Sequence, residues 1–151
     1  MARAADMRTV QFGAVRDYQG GCVGEYALHI LCPWRFENET GIVTGSSDLY
    51  RPSDQNKELN DDFDWEHDDN LQDQQLRQIL NGYDERTRQI VNSTSLLVVS
   101  AGEADLNGGF WLKLSGGYRL VVFPTGTRDE AWRIFRPGSE EEHFVVPSEE
   151  D

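Results

Sequence analysis

The chain has 151 residues, 38% of them hydrophobic, with four Trp, five Tyr and seven Phe, and it carries a formal charge of −13 from 27 acidic residues against 14 Lys and Arg. This much large apolar surface offsets the entropy of ordering and excludes global disorder, yet it would starve a second folding unit, so a single domain over residues 1–151 is expected. The negative field repels phosphate backbones and anionic lipid over about 8 Å in physiological salt, which disfavours direct nucleic-acid or membrane binding and favours basic protein partners.

Two cysteines, Cys22 and Cys32, are too few for the disulfide framework of a stapled secreted domain. The opening MARAADMRTVQFG holds no apolar run of signal-peptide length, and nothing later approaches the ~18 residues that span a bilayer. The sequence therefore reads as cytoplasmic with reduced thiols.

Residues 8–15, RTVQFGAV, alternate Val10, Phe12 and Ala14 with polar or small neighbours and predict a short strand broken by Gly20-Gly21. The next segment, EYALHILCPWRF, fits two periods. Ala27, Ile30, Leu31 and Trp34 match helical spacing, while Tyr26, Leu28, Ile30 and Cys32 match strand alternation. Because proline disfavours helical geometry in the residue ahead of it, the reading adopted is a helix that stops before Pro33. Residues 41–50, GIVTGSSDLY, predict a β segment with a bulge or bend at Gly45.

Over 51–69 the composition turns acidic, and the stretch reads as a loop: Pro52 opens it, and Asp54, Glu58, Asp61, Asp62, Asp64, Glu66, Asp68 and Asp69 are opposed by Lys57 and His67. A helix over 70–81 follows, with Leu76, Ile79, Leu80 and Tyr83 along one face. Asp69 or Asn70 suits its N-cap, Asp73 its first turn and Gly82 its C-terminal cap.

The remainder reads as sheet. RQIVNSTSLLVVS at 88–100 is β-rich, and FWLKLS, Gly116-Gly117 and YRLVVF predict a hairpin with a two-residue turn. Counted outward from that turn, Trp111 opposes Val122 and Leu112 opposes Val121, which makes both faces largely apolar and both covered. AWRIFR at 131–136 and HFVV at 143–146 add strands, and 148–151 should fray. Together these elements predict an α+β fold: an antiparallel meander of four or more strands with two helices packed on it.

Candidate chemistry is sparse. The run from Asp62 to Asp73 places oxygens at calcium-loop spacing, but His67 stands where the sharp turn wants Gly and Asp73 where a bidentate Glu belongs, so no metal site is assigned. His29 and Cys32 would share a helix face, yet both lie in an apolar run where such residues are inert. Zinc-ligand spacing, nucleophile-elbow, phosphate-loop and dinucleotide fingerprints are all missing, so neither a catalytic residue nor a cofactor is expected. Phe63 and Trp65, interleaved with the acids, should pin the loop, with Arg35, Arg133 and Arg136 as natural receivers for Asp62 or Asp64.

The strings Tyr26 to Arg35 (YALHILCPWR), Asp62 to Trp65 (DFDW), Leu114 to Tyr118 (LSGGY) and Trp132 to Pro137 (WRIFRP) resemble a family of small bacterial hypothetical proteins over about residues 20–137. The resemblance implies a bacterial, cytoplasmic origin and names no reaction.

The functional expectation is a non-enzymatic acidic module, such as an immunity-type inhibitor of a basic toxin or nuclease, with contacts from Asp61, Asp62, Asp64, Trp65, Glu66, Asp68 and Asp69. Trp65 is its anchor, because desolvated aromatics dominate such interfaces. The alternatives are a small-ligand site or enzyme pocket between helix and sheet, formed by Arg35, Asp48, Asp64 and Arg133, and an acidic loop that imitates a nucleic-acid backbone.

Overall fold

A computed structural model describes residues 1–56, 63–66, 69–79, 83–84, 89–90 and 97–147. Strand follows strand over the first 45 residues: β1 (Ala2–Ala4), β2 (Met7–Phe12), β3 (Arg16–Tyr18), β4 (Gly21–Val23), β5 (Tyr26–Ile30), β6 (Trp34–Asn38) and β7 (Gly41–Gly45). A 3-10 turn over Ser46–Tyr50 and one helix, α1 (Leu71–Ile79), interrupt the series. It resumes with β8 (Tyr83–Asp84), β9 (Gln89–Ile90), β10 (Val99–Ala104), β11 (Phe110–Leu114), β12 (Arg119–Val122), β13 (Trp132–Phe135) and β14 (Phe144–Val146).

The described strands form two five-stranded antiparallel sheets, β1-β2-β5-β13-β14 and β10-β11-β12-β6-β7, and two ribbons, β3-β4 and β8-β9. The expected α+β architecture is thereby corrected. The described residues are mostly β, with one α-helix among them instead of two helices on a meander.

The lost helix is the 26–33 segment. Its two periods are resolved by tertiary pairing: β5 is hydrogen-bonded to β2 on one side and β13 on the other, so every backbone group that a short helix would satisfy internally is satisfied across the sheet. A helix fitted between Gly24 and Pro33 would have run about two turns, too short to stand on propensity. Pro33 instead marks a corner. Leu31 and Cys32 donate their amides to the Ala131 carbonyl, and Phe123 donates to the Pro33 carbonyl. There the chain leaves the first sheet in β5, the partner of β13, and enters the second in β6, the partner of β12.

Both sheets and the helix share one core, built from Leu28 and Ile30 of the first sheet, Trp34, Phe36, Leu114, Leu120 and Val122 of the second, and Leu76 of α1.

The 110–123 hairpin forms, but one residue out of the expected register. Phe110 opposes Val122, Trp111 opposes Val121, Leu112 opposes Leu120 and Lys113 opposes Arg119, around a three-residue turn at Ser115–Gly117 closed by the Leu114 amide on the Tyr118 carbonyl at 2.8 Å. The slip sorts the side chains. Phe110, Leu112, Leu114, Leu120 and Val122 now share the core face, and Trp111, Lys113, Arg119 and Val121 share the outer one, whereas the two-residue turn would have mixed them.

Gly116 and Gly117 sit at φ 73° and 77°, the left-handed region that L side chains resist. Changing either to Ala should cost about 1–2 kcal/mol of unfolding free energy by chemical denaturation. Gly126→Ala, whose Cβ meets nothing within 4 Å, should be close to neutral in the same assay.

Candidate functional site

The acidic segment is anchored at the start of α1. Asn70 is the cap: its Oδ1 accepts the Asp73 amide at 2.8 Å, and its Nδ2 donates to Asp73 Oδ2 at 2.8 Å and to the Trp65 carbonyl at 3.2 Å. These reciprocal bonds satisfy helix-terminal donors and tie the preceding turn to the helix. The Ser53 amide donates to the Asp69 carbonyl and the Leu71 amide to the Arg51 carbonyl, so the 51–53 stretch runs beside 69–71 as a strap.

Beneath the strap lies a buried polar network. Arg8, 3% exposed, donates Nε to Gln72 Oε1 at 2.6 Å and pairs through Nη2 with Asp73 Oδ1. Gln72, itself buried, donates Nε2 to the Gly45 carbonyl at 2.7 Å and so joins the helix to the end of β7. Burial pulls the Arg8 guanidinium below its ordinary pKa, and the charge of Asp73 opposes that pull. For Asp73, burial pushes the carboxyl up, but the Arg8 charge and hydrogen bond, with help from Asn70 and Arg3, hold it below the ordinary carboxylate value.

Arg3 completes the arrangement. Its Nε lies 3.3 Å from Asp73 Oδ2, its Nη2 donates to the Glu66 carbonyl at 3.3 Å, and its guanidinium carbon sits 5.5 Å from the centre of the Trp65 ring. Trp65 is half-buried and meets Tyr50 edge to face at 5.4 Å. Around this pair Asp64, Glu66 and Asp69 are exposed. Asp64 Oδ1 accepts the Glu66 amide at 3.0 Å, and Asp69 lies 3.6 Å from an equally exposed Arg77.

Of the expected contact residues, Asp64, Trp65, Glu66 and Asp69 therefore share one surface, while Asp61, Asp62 and Asp68 lie outside the described residues. The arginines expected to receive the loop are occupied elsewhere. Arg35 donates to Glu37 at 2.7 Å and lies over Phe123, Arg133 pairs with Glu130, and Arg136 donates to the Tyr26 hydroxyl at 2.7 Å. Arg3 instead reaches the segment through the Glu66 carbonyl and the Trp65 ring, and Arg8 pairs with Asp73 of α1; sequence reasoning singled out neither.

The alternative pocket does not assemble as expected. Arg35 and Arg133 stand on different sheets, and Asp48 accepts the Thr44 hydroxyl at 2.9 Å, so these three are spent on three separate neighbours. A concavity of about 440 Å³ does include Arg35, with Glu37, Glu39 and Thr40, but it lies at the open β6–β7 hairpin and not between helix and sheet. His29 and Cys32, expected on one helix face, instead belong to β5 and the corner beyond it. His29 packs edge-on to Phe135 at 4.8 Å, and burial pushes the Cys32 thiol up to about 11, away from the reactive thiolate.

Among the described residues no three His, Cys, Asp or Glu side chains gather as a metal site, and no helix is long and apolar enough to cross a membrane. Comparison of the chain with known protein families, with characterised proteins and with solved structures gives no match.

Proposed function

We propose that the chain is a non-enzymatic binding module that captures a basic protein through the surface of Asp64, Trp65, Glu66 and Asp69, in the manner of an immunity-type inhibitor covering a cationic toxin or nuclease. One observation carries this reading: Trp65 and Tyr50 are held edge to face on a hydrogen-bonded base while the carboxylates of Asp64, Glu66 and Asp69 beside them face water. A rigid aromatic anchor with a charged rim is how high-affinity interfaces concentrate their energy, because little ordering entropy is left to lose on binding. Asp73, paired with both Arg3 and Arg8, lies at the base of this surface and belongs to its support, and Asp69 forms an exposed ion pair with Arg77.

The test is binding to a panel of basic nuclease domains by interferometry at several salt concentrations. Trp65→Ala should weaken the tightest complex by about 30-fold, as loss of a hot-spot residue does. Joint neutralisation of Asp64, Glu66 and Asp69 should slow association about tenfold at low salt and flatten its salt dependence. If neutralising the exposed acids Glu103, Glu140 and Glu142 has the same effect, binding follows net charge alone and the reading fails.

A further inference from the structure

We propose that Arg3 is the positioning residue of the Trp65 surface, and that the edge strand β1 acts as a clasp that delivers it; the inference rests on reading Asp64, Trp65, Glu66 and Asp69 as the binding surface.

In the β1–β2 ladder Arg3 stands directly opposite Arg8, and like charges facing each other across an antiparallel pair are destabilising. The pairing survives because the two guanidiniums divide one carboxylate: Arg8 takes Asp73 Oδ1 and Arg3 takes Oδ2. Arg8 is buried, but Arg3 keeps 16% of its side-chain surface. Its planar fork therefore reaches past the ion pair to three further groups: the Glu66 carbonyl, the Trp65 ring and, through Nη1 at 3.1 Å, the Ala5 carbonyl of its own hairpin. Arginine alone suits this combination of stacking and directed donation, since an ammonium offers a point charge without the plane. The strand that carries Arg3 is three residues long and pairs with β2 at the edge of its sheet. Short edge elements open most readily. Release of β1 would thus withdraw the guanidinium from Trp65 and Glu66 together, and with it Met1 from the edge of the core.

The test is amide hydrogen exchange by NMR on the isolated protein, with core amides of β5 and β12 as the check that the fold persists. In Arg3→Ala, exchange at Trp65 and Glu66 should accelerate about tenfold while the core amides hold. Arg3→Lys should recover less than half of that protection, and millimolar methylguanidinium added to Arg3→Ala should recover most of it. Unchanged exchange at 65–66 in Arg3→Ala, or full recovery by lysine, would overturn the clasp. A parallel measurement against the nuclease panel separates the two readings: lost protection with unaltered affinity would uphold Arg3 as the clasp and reject the Trp65 surface as the partner site.

Discussion

Replacement of Asp73 by Ala is expected to lower the unfolding free energy by about 3–5 kcal/mol, because it strands a desolvated guanidinium. Arg8 is 3% exposed, and its other partner, Gln72, is neutral. With the carboxylate gone, Arg8 would face Arg3 across the β1–β2 ladder with no counter-charge between them. The reverse substitution should be milder. Arg8→Met removes the buried charge itself, and the Asp73 left behind still has Arg3, Asn70 and a side chain that is 19% exposed. Urea denaturation at neutral pH should therefore rank Asp73→Ala well below Arg8→Met; the opposite order would mean that the network is held by the helix cap and not by charge.

The same pair fixes an acid limb. The Asp73 carboxyl is held below its ordinary value of 3.8 in the folded state, so the unfolded chain binds more protons in that range. The stabilisation is complete above about pH 5 and is lost as pH falls through 3.8 toward the lower folded value. Asp73→Ala should lack that part of the slope.

Much of the β content was legible in the sequence, from alternation ahead of Gly13, from the Gly116-Gly117 turn between apolar runs over 110–123, and from the aromatic and β-branched residues at 131–136 and 143–146. The 26–33 segment does not: its apolar positions satisfy both periods, and only the neighbours on either side of β5, distant in sequence, decide between them. The hairpin failed more narrowly. Gly116-Gly117 located the turn, but loop length follows from which register keeps the core face apolar, and a count that included Ser115 in the turn would have cleaned both faces. The support of the candidate site had a readable signal. Arg8 is in phase with Val10 and Phe12, on the face of β2 that turns inward. A charge in phase with an apolar stripe must be buried and paired, and Asp73 in the first turn of the helix expected over 70–81 was an available partner. What the sequence could not supply is the distance between them, since β2 and α1 are joined only by the tertiary fold.

The deepest dependence of that fold is on Phe36. It is 2% exposed, opposes Leu120 on one side and Thr44 on the other, and stacks on Tyr118 at 5.3 Å with the rings 24° from parallel. It lies beyond the Pro33 corner, among core side chains drawn from both sheets and from α1. A cavity there cannot close by moving one element, because each wall is hydrogen-bonded into a different ladder. Phe36→Ala should cost about 3–5 kcal/mol, a large share of the 5–15 kcal/mol that a domain of this size has in total. Its signature should also differ from that of Arg3→Ala. Loss of the shared core lowers the free energy of global opening, so exchange at the most protected amides of β5 and β12 should rise by about two to four orders of magnitude, which is what 3–5 kcal/mol implies. Should the β5 amides stay protected while those of β12 and the rest of the second sheet loosen, the two sheets would not share one cooperative core, and the corner at Pro33 would be a hinge.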